Sequence, residues 1–332
     1  MSSPTIPEWL VSAYARFARR IETGRVPHAV LICGPAGLGK HQLAMTLAQR
    51  LLCQHPDADG YACGECADCR LFRAEAHPDF HLLEPEEAGK PIKIDAVRAL
   101  CADLELTTRG GRRVAVIRQA DAMNLASANA LLKTLEEPPP DTVILLVSNR
   151  PASLPATIRS RVQRLDITLP SKTTALAWLA DQTGQDAASI HQALAAAEGA
   201  PYLALQQLTD PEDFDWNALV DAMLHVMQGR TDPLTEAARW TKAPLEKVSI
   251  WLYRLIRDLL RVCNNLPPAV LIDRKPALMS LARDMTAEEL VAYYDQLIAM
   301  RAQASHPLNQ ELFLEQLFIT LLELGKGNLQ RI

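Results

Sequence analysis

The stretch Ala29-Val30-Leu31-Ile32-Cys33-Gly34-Pro35-Ala36-Gly37-Leu38-Gly39-Lys40-His41 decides the fold. Five apolar residues in a row, stopped by Gly34-Pro35, read as a strand buried on both faces. From His41 to Leu52 the residues Leu43, Leu47 and Leu51 recur every four positions, which reads as a helix. Strand, glycine loop, then helix is the context in which the pattern G-x4-G-K marks a phosphate-binding loop. Gly34, Gly37 and Gly39 let backbone N–H groups curl around phosphate, and Lys40 brings positive charge to the helix N-terminus. The last position departs from the motif. His41 stands where a Ser or Thr hydroxyl would help hold Mg²⁺, and imidazole is a poor ligand for that hard ion.

Working outward, Val114-Ala115-Val116-Ile117 and Val143-Ile144-Leu145-Leu146-Val147 are two more unalternated apolar runs. Such runs, separated by helical patterns, suit a parallel sheet covered on both faces. Between them, Ala122–Glu137 reads as a helix stopped by Pro138-Pro139-Pro140. An ATPase built on this loop needs acidic residues just after the second strand, to hold Mg²⁺ and orient water. Arg118 and Gln119 stand there instead, and Asp121 lies too far along to be a simple replacement. Hydrolysis is therefore not expected, while weak nucleotide binding through Gly39 and Lys40 stays open. Past Leu169-Pro170 the strand-like runs stop. The expected organisation is an α/β core over 1–169, a small Ala-rich helical unit over 170–208, and an all-helical domain over 209–332. In the last, Leu245, Val248, Leu252, Leu255, Ile256 and Leu259 form an amphipathic stripe, and Gln310–Leu324 is apolar on most faces.

The composition excludes several classes. In 332 residues, 34 Lys and Arg oppose 39 Asp and Glu, giving a net charge of −5. That balance argues against a surface devoted to nucleic acid and leaves only a local basic face, such as Arg109–Arg113. No run of about 18 apolar residues predicts a membrane span. The start, MSSPTIPEWL, lacks the basic and apolar regions of a secretory signal, so a cytoplasmic location is expected. Seven cysteines in that setting read as reduced thiols or metal ligands. Cys33, Cys101 and Cys263 are scattered and read as small buried hydrophobes. Cys53, Cys63, Cys66 and Cys69 cluster with two C-x2-C steps, which is the spacing of a closed, structural Zn²⁺ site. An iron–sulfur cluster or a redox pair is the rival reading.

Taken in order, these motifs resemble the AAA+ clamp-loader family, which serves bacterial DNA polymerase III. Asn129-Ala130-Leu131-Leu132-Lys133-Thr134-Leu135-Glu136-Glu137-Pro138-Pro139 is close to a family hallmark. Ser148-Asn149 sits where sensor 1 follows its strand, and Arg25-Val26-Pro27-His28-Ala29 precedes the first strand as in the family. Thr157-Ile158-Arg159-Ser160-Arg161-Val162 is similar to the family's "SRC" motif, with Val162 in place of Cys. The resemblance covers essentially the whole chain and implies a P-loop AAA+ core with an inserted zinc module at 53–69, a helical lid and a helical collar.

The resemblance also implies roles. Tyr202 aligns where motor subunits carry the sensor 2 Arg, so three nucleotide-handling elements are lost while Ser160-Arg161 survives. In the family that Arg acts in trans, as an arginine finger on ATP held by a neighbour; read alone, Arg161 is a surface charge at a strand edge. The implied protein is a stator in a DNA-directed DNA polymerase holoenzyme. Its implied partners are motor (gamma/tau) and delta subunits in a heteropentamer, with the sliding clamp and primer–template DNA met through the complex and no membrane. Two other readings stay open: an active motor with unusual Mg²⁺ ligation, and a zinc-bearing nucleic-acid-binding module with a vestigial loop.

Overall fold

The computed structural model describes residues 6–87, 89–106, 111–209, 216–303 and 310–326. It divides into two compact units, Met1–Leu208 and Thr209–Ile332.

The first unit holds one parallel sheet of five strands: β1 Ala29–Cys33, β2 Phe80–Leu83, β3 Arg113–Ile117, β4 Thr142–Ser148 and β5 Gln163–Asp166. Their spatial order is β2-β3-β4-β1-β5. The central register pairs Leu31 with Leu146 and Cys33 with Ser148 across β1 and β4. Around the sheet lie α1 Glu8–Glu22, α2 Lys40–Leu52, α3 Ala67–Arg73, α4 Ile94–Glu105, α5 Leu125–Glu136 and α6 Ala156–Arg159.

Successive strand side chains point to opposite faces, which explains why the central runs are apolar throughout. Val30, Ile32, Val114, Val116, Leu145 and Val147 pack with α1 and α2. Leu31, Ala115, Ile117, Ile144 and Leu146 pack on the other face with Val97 and Leu100 of α4 and Leu131 and Leu135 of α5. The edge strands differ. β2 and β5 are partly exposed, and Arg164 and Asp166 of β5 pair with each other at 2.6 Å.

The helix before the proline run starts at Leu125 and not at Ala122. Asn124 caps it, its side-chain Oδ1 accepting from the Ser127 N–H at 2.9 Å, while Ala120–Ala122 form a separate 3-10 turn. Capping chemistry set the start where apolar content had suggested an earlier one. Arg113, the last residue of the basic stretch Arg109–Arg113, does not contribute to an exposed basic face: it is the buried first residue of β3, 3.6 Å from the Asp79 carboxylate. Of the same stretch, Arg109 and Gly110 lie outside the described residues.

Three further helices complete this unit: α7 Lys172–Thr183, α8 Ala187–Ala196 and α9 Pro201–Thr209. Ser171 and Asp186 cap the first two. They share a small core of Ala175, Leu179, Ile190, Leu194 and Ala204.

The second unit is helical throughout its described residues: α10 Trp216–Met227, α11 Pro233–Arg239, α12 Leu245–Cys263, α13 Lys275–Leu281, α14 Ala287–Gln303 and α15 Gln310–Gly325. The stripe on α12 is its spine, with Val248, Leu252, Leu255, Ile256 and Leu259 fully buried where α12 packs on α10, α13 and α14. A carboxylate sits inside that core. The Asp258 carboxylate, 0% exposed, accepts backbone N–H bonds from Ala269, Val270 and Leu271 at 2.9, 2.8 and 2.7 Å. Along α15, Leu314, Leu317, Phe318 and Leu321 are buried, whereas Leu312 is exposed. No described helix is long and apolar enough to cross a membrane.

Candidate functional site

The phosphate-type loop runs from the end of β1 into α2, with Gly37 and Gly39 in the left-handed region that favours glycine. Both glycines are also required by contact. A Cβ on Gly37 would collide with the Leu203 side chain, and one on Gly39 would come within 2.5 Å of Tyr202 Cε2. A Cβ on Gly34 would strike the Ile167 carbonyl. Lys40 is 4% exposed, and its ammonium donates to the Pro35 carbonyl of the same loop. Burial pulls its pKa down to about 8, partly opposed by the Asp121 carboxylate, so the ammonium stays charged at neutral pH.

The side chains that follow the loop and β3 are an imidazole and a guanidinium, not the oxygen donors that Mg²⁺ prefers. Burial and then the Arg118 guanidinium lower the His41 pKa, which keeps the imidazole neutral. Arg118 itself is paired with Glu84 at 3.0 Å. Asp121 is half-buried and spoken for: it accepts from the Asn149 N–H at 3.1 Å and meets Arg150 Nε at 3.3 Å. It therefore ties the turn after β3 to the Ser148-Asn149 turn after β4. Sequence spacing could not reveal Glu84 or this use of Asp121, because both partnerships join separate strands.

Arg161 sits elsewhere. It follows α6, and Nη1 donates to the Thr157 carbonyl at 3.0 Å and to Ser160 Oγ at 3.3 Å. Nη2 pairs with Glu136 Oε1 at 2.5 Å. Glu136 closes α5 just before β4 begins, so Arg161 lies at the edge where strands start, while the loop at Gly34–Lys40 lies where β1 ends. The structure thus does not bring Arg161 to its own chain's loop. The Ser160 hydroxyl donates to Thr157 O at 3.1 Å and turns the segment that presents Arg161.

Cys53, Cys63, Cys66 and Cys69 do come together. Their four sulfurs lie within 4.8 Å of one another, and all four are free thiols. Cys53 and Cys63 sulfurs are 3.6 Å apart, Cys63 and Cys69 4.0 Å. Four thiolates at the ~2.3 Å Zn–S distance would sit about 3.8 Å from each other, so the spacing fits one tetrahedral ion. Backbone N–H groups of Cys63, Glu65, Cys66 and Cys69 point at these sulfurs at 3.3–3.5 Å. The Glu65 and Cys66 N–H groups draw the Cys63 thiol down to about 6. Burial pushes Cys53 and Cys69 the other way, so four thiolates together require a compensating cation.

The cluster is bolted to the sheet domain at defined points. The Gly60 carbonyl accepts from Tyr14 OH and Arg50 Nε, both at 2.8 Å. Tyr61 stacks on Tyr14 with centroids 4.3 Å apart. On α3, Asp68 faces His77 Nε2 at 3.4 Å.

Comparison with known proteins places this geometry. A profile of the family described as DNA polymerase III, delta subunit, matches residues 10–171, and one for the C-terminal part of that family matches 214–323. DNA polymerase III subunit delta-prime of Pseudomonas aeruginosa is 37% identical over 298 residues, covering 88% of this chain and 90% of that protein. The chain belongs to the DNA polymerase III delta-prime subunit family. The delta-prime subunit of Yersinia pestis is 34% identical across 96% of both chains. Similarity extends to the tau subunit of Escherichia coli, at 27% identity over 92% of this chain and 51% of that protein. The chain is thus similar to DNA polymerase III subunits over nearly its full length.

Proposed function

We propose that this chain is the non-hydrolysing stator of a clamp-loader complex that loads the sliding clamp onto primed DNA. One observation carries the reading. At the Mg²⁺ position a neutral His41 faces a Glu84-paired Arg118, while Arg161 is presented on the opposite edge of the sheet. A subunit built so gives a guanidinium to a neighbour's ATP and turns over none itself. Within the first unit we assign 1–169 to an AAA+ core and 170–208 to its lid, with 209–332 as the collar that joins gamma/tau and delta subunits in a cytoplasmic heteropentamer. Contacts with DNA and the sliding clamp come through that assembly.

The purified chain is expected to show no Mg²⁺-dependent ATP turnover above background. Appreciable turnover, measured by phosphate release, would favour the motor reading and end this one.

We assign the four cysteines to a structural Zn²⁺, closed by four protein ligands and so without a catalytic position. Because Tyr14, Arg50 and His77 anchor the module from outside, chelation is expected to loosen residues 53–69 and leave the sheet folded. Hydrogen exchange after stoichiometric metal removal checks this. Global loss of protection would contradict it, and iron in metal analysis would overturn the assignment to zinc.

A further inference from the structure

Three aromatic side chains lie over the phosphate-type loop, and each comes from a different helix. Trp9 is on α1, Trp178 on α7 and Tyr202 on α9. Trp9 and Trp178 meet edge to face at 5.2 Å, and Trp178 and Tyr202 are tilted at 4.9 Å. Trp9 and Tyr202 rings are 6.3 Å apart, which closes the triangle.

Trp9 and Tyr202 are also tied to the loop or the helix behind it, and Trp178 packs on both rings. The Trp9 indole N–H donates to the Leu38 carbonyl at 3.0 Å. The Tyr202 backbone N–H donates to the Gly37 carbonyl at 2.9 Å, and its hydroxyl donates to the Gln42 side chain on α2. Tyr202 and Leu203 approach Gly39 and Gly37 so closely that no side chain fits at either glycine. Helices α7–α9 are therefore held to the sheet domain by aromatic packing, one backbone hydrogen bond and one side-chain hydrogen bond. All of these contacts are made by the protein alone.

We infer that Trp9, Trp178 and Tyr202 form a latch that clamps the lid helices α7–α9 onto the loop without nucleotide. The inference deepens the stator reading and rests on it for its purpose: a lid that answers to protein contacts stays in one position through a neighbour's ATP cycle. The arrangement is economical in residues, since Tyr202 alone joins Gly37, Gly39, Gln42, Trp9 and Trp178. Its physical basis is a lid core too small to hold position by area alone, since four of the seven buried residues in its cluster are alanines. The latch supplies the remaining contact.

Hydrogen exchange on the full chain, with and without millimolar Mg·ATP, tests the latch. In the wild type, exchange over 172–183, 187–196 and 201–209 is expected to be the same in both conditions. Trp178→Ala is expected to speed exchange in these helices by about tenfold or more, with β1, β3 and β4 unchanged. Trp178→Leu, read alongside, fills the space without the indole and is expected to loosen the same helices. Tyr202→Phe keeps the ring and loses only the Gln42 bond, so it is expected to stay within about threefold of wild type. Lid helices that gain protection on adding Mg·ATP to the wild type would overturn the latch. So would tryptophan variants with wild-type lid exchange. Failure of the stator reading looks different: the isolated chain turns over ATP, or Arg161→Ala leaves the complex unchanged, while lid exchange in the isolated chain is independent of either result.

Discussion

Arg161→Ala is expected to lower ATP turnover at the neighbouring site by about 10³-fold, the lower end of what a trans-acting guanidinium supplies in phosphoryl transfer. The side chain is 35% exposed and reaches outward from a short helix, with Thr157, Ser160 and Glu136 fixing its direction. Its ion pair with the half-exposed Glu136 is worth about 0–1 kcal/mol, so the variant should fold and assemble normally. That separation makes the test clean. Single-turnover hydrolysis in the reconstituted complex should show one slow class of site, and the steady-state rate should fall less because other sites continue. Arg161→Lys should not restore the rate, because an ammonium lacks the planar fork that spans two phosphate oxygens. An unchanged single-turnover profile in Arg161→Ala removes the finger.

The second large effect concerns stability. Asp258→Ala is expected to destabilise the helical unit by about 3–5 kcal/mol, because it strips the acceptor from three backbone donors around a fully buried carboxylate. Those bonds fix the loop at 269–271, and Leu271 of that loop belongs to the unit's core. Against the roughly 5–15 kcal/mol of a typical domain, such a loss is a large fraction. Asp258→Asn keeps one acceptor oxygen and turns an amide donor toward other donors, so its loss should be intermediate. Urea unfolding of the two variants, followed by a signal from 216–326, checks the order. A midpoint for Asp258→Ala equal to wild type would show that water or rearrangement replaces the carboxylate.

The central strands were legible because each contains an unbroken apolar run of four or five residues, and only burial on both faces accounts for that. β2 and β5 were not. Phe80-His81-Leu82-Leu83 is short, and Gln163-Arg164-Leu165-Asp166 is mostly polar, as an exposed edge permits. The cysteine cluster was legible because its ligands are local in sequence, and a tight knuckle follows from C-x2-C spacing alone. Tyr202 was visible only as a missing arginine; its packing against Trp9 and Trp178 depends on residues 24 and more positions away.

By itself, the sequence determined the doubly covered sheet, the phosphate-type loop with its unsuitable His41 and Arg118, and the four-cysteine knuckle, because each depends on neighbours within a few residues or on the strand period. Tertiary structure decided the rest. It placed Glu84 on Arg118, Glu136 on Arg161, Asp121 on the Ser148-Asn149 turn and the aromatic triangle on the loop. Those pairings join elements far apart in the chain, and only the packing of helices on the sheet sets which charges and rings meet.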